Sequence, residues 1–509
     1  MSSWLPRFFP PDRAGNAFAP ARERYVFSAA VFLRLLAVTH AIAFVSLWVQ
    51  LPGLIGPHGI LPAGAYLRAV HDYLGADAYA RLPTLGWIFG ADTFLTVLCA
   101  VGVGAAALLF AGIAPTACLI VLWVCYLSLV NVGQAFLGFQ WDALLLETTL
   151  LTIFLPRLTW RPRFHFGEPS GIARWLLRWL LFRLMLLSGI VKLSSGDPTW
   201  RNLTALDFHF ETQPLPNPLA WWAHHASENV HRAACAGMFA IELIAPFFLF
   251  APRPLRHNAA LLLLALQLAI ALTGNFAFFN LLTAALCLLN LDDAFWLRLL
   301  RGDPGKCHTL YDTLIGRSAR GVAVSVSGWT LAGCVVVYTA VAAWPSVRPG
   351  AKRPGWFESV ATWVAPFNSF NNYGLFAVMT TSRPELSLEG SNDQREWLAY
   401  ELPYKPGALS RPLPVVAPHQ PRLDWQLWFA ALGAPQQNPW VLSLAEHLLR
   451  GTPEVLALFA HNPFPGQPPR FLRVVRYDYR FASPAERART GRFWERTPID
   501  YYLAPAALK

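Results

Sequence analysis

Long apolar segments recur through the first two thirds of this chain. A helix needs roughly 20 apolar residues to cross the ~30 Å hydrocarbon core of a bilayer. The sequence is 55% hydrophobic and only 14% charged, whereas soluble domains carry about 25% charged residues. Two of the apolar segments, at 140–155 and 277–291, are shorter than a full span and would be tilted helices, half-spans or re-entrant pieces. These properties predict a polytopic α-helical membrane protein with about nine membrane segments, near residues 27–49, 93–113, 116–134, 140–155, 175–194, 233–251, 257–273, 277–291 and 322–344.

The basic residues between these segments predict the orientation of the bundle. With the N-terminus inside, fifteen Lys and Arg residues flank the spans on the cytoplasmic side and four lie outside. Positive residues favour the cytoplasmic side, so the N-terminus is predicted to be cytoplasmic. An odd number of spans then places the chain after Trp344 on the exoplasmic face.

The chain divides into two parts. Residues 1–344 are predicted to form the helical bundle, with exoplasmic loops at 51–91 and 195–232. Residues 345–509 begin with a linker rich in Pro, Gly and basic residues. They continue with stretches typical of strands, among them FLRVVRYDYRF at 471–481, and with two stretches of helical spacing. This second part is predicted to be an exoplasmic α+β domain with a β-rich core.

Composition and motifs argue against several classes of function. Six of the seven cysteines lie in predicted spans and Cys307 lies in a cytoplasmic loop, so no disulfide-stapled exoplasmic domain is expected. No Cys/His metal spacing, P-loop, GxSxG or HExxH motif occurs, and neither a metal nor a cofactor is expected. Within the membrane part, most of the basic excess flanks the spans on the cytoplasmic side, where membrane lipids are the expected partners. The tail holds eighteen basic and thirteen acidic residues without a basic run, and the chain as a whole has a net charge of +11. Nucleic-acid binding is not expected.

Ionisable residues within the predicted spans form the first candidate site. A charge in hydrocarbon is costly, so these side chains should face the bundle interior and pair. Two interpretations stay open: buried ion pairs that fix helix packing, or a polar cavity that opens outward. The residues concerned are Asp142, Glu147, Arg183, Lys192 and Glu242.

The loop 195–232 and the start of the tail supply a second set of candidates. The loop is rich in groups that stack and hydrogen-bond, and it serves to bind another molecule, to dock under the tail domain, or both. The segment PFNSFNNYG either satisfies turn backbone or forms a hydrogen-bonding surface beside the membrane. The candidates for binding a partner protein or a ligand are Trp200, Arg201, Asn202, His209, Glu211, Asn368, Asn371 and Asn372.

Long strings of the sequence resemble the lipase maturation factor family. They are QWDALLLE at 140–147, the run from Phe182 to Trp221, APFNSFNNYGLFAVMTTSRPE at 365–385, APHQPRLDWQLWFAALG at 417–433 and RVVRYDYRF at 473–481. The resemblance implies a membrane-tethered factor that assists the folding of exported clients such as lipases, through non-covalent contacts. Animal members are similar in residing in the endoplasmic reticulum membrane. The Arg-, Ala- and Pro-rich composition with few cysteines favours a bacterial member, in the cytoplasmic membrane with a periplasmic tail.

A shorter run implies an alternative function. SGIVKLSSGDPTW at 188–200 is similar to the segment that holds the active-site lysine of vitamin K-dependent gamma-glutamyl carboxylases, and that lysine falls on Lys192. The chain would then be a membrane enzyme acting on a lipid, a quinone-like molecule or a peptide, with Lys192 as base and Arg183 and Glu147 as electrostatic support. Otherwise Lys192 snorkels to the headgroups and the chain is no enzyme. The non-enzymatic interpretation is favoured.

Overall fold

Helices build the part of the chain that precedes the tail. The computed structural model describes residues 23–89, 91–156, 168–299 and 326–508. Cys307 and residues 322–325 of the last predicted segment lie outside the described residues. The helices are α1 (Val26–Trp48), α2 (Leu51–Ile55), α3 (Ala63–Leu74), α4 (Asp77–Arg81), α5 (Gly86–Phe89), α6 (Ala91–Phe110), α7 (Pro115–Val132), α8 (Gln140–Thr152), α9 (Gly171–Ser194), α10 (Pro198–Arg201), α11 (Ala205–Thr212), α12 (Pro218–His224), α13 (Glu228–Phe248), α14 (Arg253–Thr273), α15 (Phe279–Leu288), α16 (Asp293–Leu299) and α17 (Val326–Val347).

Five described helices have the length and hydropathy needed to cross a membrane: α1, α7, α13, α14 and α17. The bent pair α15–α16, whose axes meet at 102°, would make a sixth span. Helices also form at the remaining predicted segments as α6, α8 and α9, but α8 has only 13 residues and α9 carries four basic residues. The chain is therefore an integral membrane protein whose described residues contain five or six candidate spans, and the predicted count of about nine is not confirmed.

Local sequence signals set several helix ends. Proline occupies the first position of α7 and of α12, where its missing N–H is not needed for helical bonding. Ser170 precedes α9, and its hydroxyl accepts a hydrogen bond from the Ala173 backbone N–H at 3.4 Å.

A small antiparallel sheet organises the tail. Its strands are β1 (Pro384–Ser391), β2 (Leu398–Tyr400), β3 (Phe471–Phe481) and β4 (Trp494–Ala506), in the order β2-β1-β3-β4. The predicted strand at 471–481 is confirmed as β3, and β1 pairs with β2 in an antiparallel hairpin. The sheet is confirmed, although β2 is only three residues long. The helices of the tail are α18 (Gly355–Val364), α19 (Arg422–Ala431), α20 (Trp440–Arg450), α21 (Pro453–Leu456) and α22 (Pro484–Thr490).

Bundle and tail share one hydrophobic core. Leu423 of α19 and Leu386 of β1 belong to the same cluster of buried side chains as Leu144 of α8. The Trp425 ring of α19 meets the Trp141 ring of α8 edge-on, with 4.7 Å between ring centroids. The tail is thus packed against the bundle and not held by its linker alone.

Arg422, the first residue of α19, anchors the tail in the bundle. Its guanidinium donates one hydrogen bond of 2.9 Å to each carboxylate oxygen of Asp142 on α8 and another of 2.7 Å to the Phe136 carbonyl oxygen. The Tyr126 hydroxyl also donates to Asp142. Both members of the pair are fully buried. Bidentate geometry with additional hydrogen bonds is what lets a buried pair offset its desolvation.

Removing one partner of this pair should destabilise the protein more than removing both. Arg422→Met leaves the Asp142 carboxylate buried and uncompensated, a change that typically costs about 3–5 kcal/mol. The double variant Arg422→Met/Asp142→Leu should recover much of that loss in the thermal midpoint of the purified protein. Arg480→Met is the control, since the Arg480 side chain is 73% exposed. Equal losses in the single and double variants would contradict the paired anchor.

Candidate functional site

A cavity of about 250 Å³ lies between α9, α13 and α14. Its walls are mainly apolar, and it is also bordered by residues of the loop 195–232 and by Leu375 and Phe376 of the tail. The polar residues that border it are Ser188, Lys192, His209, Glu242, Gln267, Thr273 and Asn280.

Lys192 and Glu242 form an ion pair at the edge of this cavity. The Lys192 ammonium lies 2.8 and 3.0 Å from the two carboxylate oxygens of Glu242 and donates a third hydrogen bond of 3.2 Å to the Ser188 carbonyl oxygen. Both side chains are buried, so Lys192 does not extend to headgroups as the snorkelling interpretation expected. All three ammonium donors are engaged, an arrangement suited to a fixed charge.

Arg183 and Glu147 form a second, separate ion pair that does not border the cavity. Arg183 donates to the Glu147 carboxylate and, over 2.9 Å, to the Asn371 carbonyl oxygen. The Tyr373 hydroxyl and the Asn371 backbone N–H donate to the other Glu147 oxygen at 2.6 and 3.1 Å. Of the two interpretations of the intramembrane charges, buried pairing describes Glu147, Arg183 and Asp142. Lys192 and Glu242 combine pairing with a cavity.

The asparagines after the linker bind other parts of the chain. Asn368 adopts a left-handed backbone conformation with φ of 47°, and its side chain donates to the Asn131 side chain of α7 at 2.9 Å. The Asn371 side chain donates to the Ala143 carbonyl oxygen at 3.3 Å, and the Asn372 side chain to the Ala342 carbonyl oxygen at 2.6 Å. Their amides thus fasten the start of the tail to the bundle.

Part of the loop 195–232 is docked beneath the tail. The Trp200 indole is buried and donates to the Phe376 carbonyl oxygen at 3.0 Å. Glu211 accepts a hydrogen bond of 3.0 Å from the Phe481 backbone N–H, while burial raises the pKa of this carboxyl. Arg201 and Asn202 remain exposed.

His209 joins the loop to the cavity. Its ring lies edge-on to Phe376, with 5.1 Å between centroids. Burial, with a contribution from the Lys192 charge, lowers the pKa of His209 to about 4. The imidazole is therefore neutral at pH 7, with one nitrogen able to donate and the other able to accept a hydrogen bond.

Sequence reasoning missed Gln267, Asn280 and Arg422. Gln267 is only 4% exposed, and its backbone carbonyl accepts a hydrogen bond of 2.9 Å from the Asn280 side chain. A glutamine inside the apolar run LLLLALQLAIAL was a visible signal, because an amide in hydrocarbon needs a partner just as a charge does. Arg422 had no comparable signal, since its partner Asp142 is 280 residues away in the chain.

Two family models match the chain. Residues 27–298 match the lipase maturation factor transmembrane domain and residues 369–504 match the lipase maturation factor C-terminal domain. The chain belongs to the lipase maturation factor family. Lipase maturation factor 2 of Rattus norvegicus is 36% identical, covering 94% of this chain and 83% of that protein. Lipase maturation factor 1 of Bos taurus is 35% identical, covering 96% of this chain and 90% of that protein. No solved structure matches.

Substitutions at Lys192 should separate a fixed charge from a base in this family member. Lys192→Arg should keep function, because an arginine can pair with Glu242 but cannot act as a base at neutral pH. Lys192→Met should destabilise the protein by leaving Glu242 unpaired. Thermal midpoints and the yield of active client lipase would be measured together. A Lys192→Arg protein that folds normally yet loses all activity would instead indicate a base.

Proposed function

We propose that this chain is a membrane-tethered maturation factor that assists the folding of exported lipases. The observation that carries the proposal is the likeness, at about 35% identity over nearly the whole chain, to proteins named lipase maturation factors. The carboxylase-like alternative is not favoured, since the Lys192 ammonium is held by Glu242 and Ser188.

We place the N-terminus in the cytoplasm and residues 345–509 on the exoplasmic side. The excess of basic residues in the segments assigned to the inside supports this orientation. With α6, α8 and α9 counted as membrane segments beside the five apolar helices and the bent pair, the chain crosses the membrane nine times. The corresponding membrane is that of the endoplasmic reticulum in a eukaryote and the cytoplasmic membrane in a bacterium.

An exposed face of the tail sheet is the surface best suited to a client. The Arg473 guanidinium lies 4.2 Å from the Trp397 ring centroid and 5.7 Å from that of Tyr501. On the same sheet the Arg496 guanidinium lies 4.5 Å from the Tyr477 ring centroid. Tyr501 of the edge strand β4 is 58% exposed. Aromatic and arginine side chains held in place by stacking are enriched among the residues that dominate protein interfaces.

Within the loop 195–232, we assign Arg201 and Asn202 to client binding as well, because they are exposed while Trp200 and Glu211 are engaged in docking. The asparagines after the linker have a supporting role, since they hold the tail against the bundle.

Substitution on the sheet face should reduce client maturation without unfolding the factor. Tyr501→Ala with Ile499→Ser removes two exposed side chains of β4, and loss of interface anchors of this kind typically costs about 2 kcal/mol or more of binding. The yield of active secreted lipase, in cells that lack other maturation factors, should fall several-fold. Val415→Ser is the matched control, because Val415 is a 76% exposed apolar residue of the tail outside the sheet. Unchanged lipase yield with the β4 variant would refute this surface.

Protease access should establish the orientation. In right-side-out vesicles, added protease should remove an epitope at residue 509 and spare one at the N-terminus. Inverted vesicles should give the opposite pattern. A protected tail in right-side-out vesicles is the outcome that contradicts the proposed topology.

A further inference from the structure

We propose that the cavity between α9, α13 and α14 binds one uncharged, hydroxyl-bearing amphiphile drawn from the membrane, in the chemical class of a fatty alcohol or monoacylglycerol. This binding is distinct from client maturation and can be measured without a client.

The way into the cavity points to a ligand from the bilayer. The cavity is bordered by Ala234 of α13 and Ala269 of α14, both of which are exposed. These two helices are apolar enough to span a membrane, and only a third of each spanning window is buried within the chain. Their exposed faces therefore contact lipid, and the small alanine side chains leave an opening between the helices toward the acyl chains. Apolar side chains line most of the interior, as an alkyl chain requires.

The electrostatics favour a ligand without net charge. Lys192 and Glu242 compensate each other at the cavity edge. An anionic head group near Lys192 would also approach the Glu242 carboxylate, and a cationic one near Glu242 would approach the Lys192 ammonium. A charged head group would lose its hydration without gaining an uncompensated partner.

Two polar groups at the cavity have no hydrogen-bond partner among the residues that the structure describes, and the hydroxyl of a ligand can fill that role for both. The Gln267 side-chain oxygen is buried and has no hydrogen-bond partner within the described residues. The ring nitrogens of His209 likewise make no hydrogen bond to the part of the chain that the structure describes, while the ring borders the same cavity. A buried acceptor without a partner destabilises the protein, because it has lost its hydrogen bonds to water without replacement. A ligand hydroxyl both donates and accepts, so it can satisfy an acceptor and a donor together.

Matched photoreactive probes would test this assignment. The purified protein in phosphatidylcholine nanodiscs is irradiated with three alkyl-diazirine probes of equal chain length, namely a fatty alcohol, its methyl ether and the corresponding fatty acid. We expect the alcohol to label peptides of α13 and α14 several-fold more than the ether or the acid. Excess monoacylglycerol should suppress that labelling, whereas excess phosphatidylcholine should not.

Variants would locate the site and its polar contacts. Ala234→Trp should abolish labelling by filling the opening from an exposed position, and Val97→Trp, at a separate apolar groove between α6 and α7, should leave it unchanged. Gln267→Leu and His209→Phe should reduce alcohol labelling to the level of the ether, with thermal midpoints confirming that each variant is folded. Equal labelling by alcohol and ether, preferential labelling by the acid, or full labelling of a folded Ala234→Trp protein would each overturn the proposal.

Discussion

The pairing of buried carboxylates is the interaction on which the rest of this structure depends. Asp142 and Glu147 lie on one short helix inside an apolar bundle, where an uncompensated charge would be strongly destabilising. For both residues the tail supplies essential partners. Arg422 neutralises Asp142. Glu147 pairs with Arg183 of the bundle and also accepts hydrogen bonds from the Asn371 backbone N–H and the Tyr373 hydroxyl of the tail. The bundle is thus electrostatically incomplete without the tail.

This dependence explains which features the sequence could predict. The apolar composition identified the membrane class, and the alternation within 471–481 located β3, because both signals reside in neighbouring residues. The requirement that Asp142, Glu147, Lys192 and Glu242 be paired followed from the cost of burying charge. The identity of each partner could not be predicted, because ion pairs between distant segments of a chain produce no periodic pattern in the sequence. The predicted number of spans was not confirmed for a similar reason. The helix α8 is short and partly polar, and it is buried because other elements pack around it.

The two ion pairs of α9 differ in a way that separates structural from ligand-binding chemistry. Glu147 accepts hydrogen bonds from a guanidinium, a phenol and a backbone N–H, and neither Glu147 nor Arg183 borders the cavity. Glu242 is held by Lys192 alone among the described contacts, and a cavity lies beside it. The same helix therefore serves one closed site that fixes the fold and one open site with unused hydrogen-bonding capacity at Gln267 and His209.

The loop 195–232 connects this open site to the tail sheet. At one end of the loop, Trp200 and His209 line the cavity. Further along, the buried Arg383 guanidinium, one residue before β1, donates to the carbonyl oxygens of Glu211 and Pro214 at 2.6 and 2.8 Å. The Trp221 indole of the same loop donates to the Ala482 carbonyl oxygen just after β3, at 3.2 Å. Because both attachments are buried and hydrogen-bonded, the loop cannot shift over the cavity without straining its contacts to β1 and β3. A lipid in the cavity and a client on the sheet would therefore act on the same segment of the chain, and each would favour the loop conformation that suits its own binding.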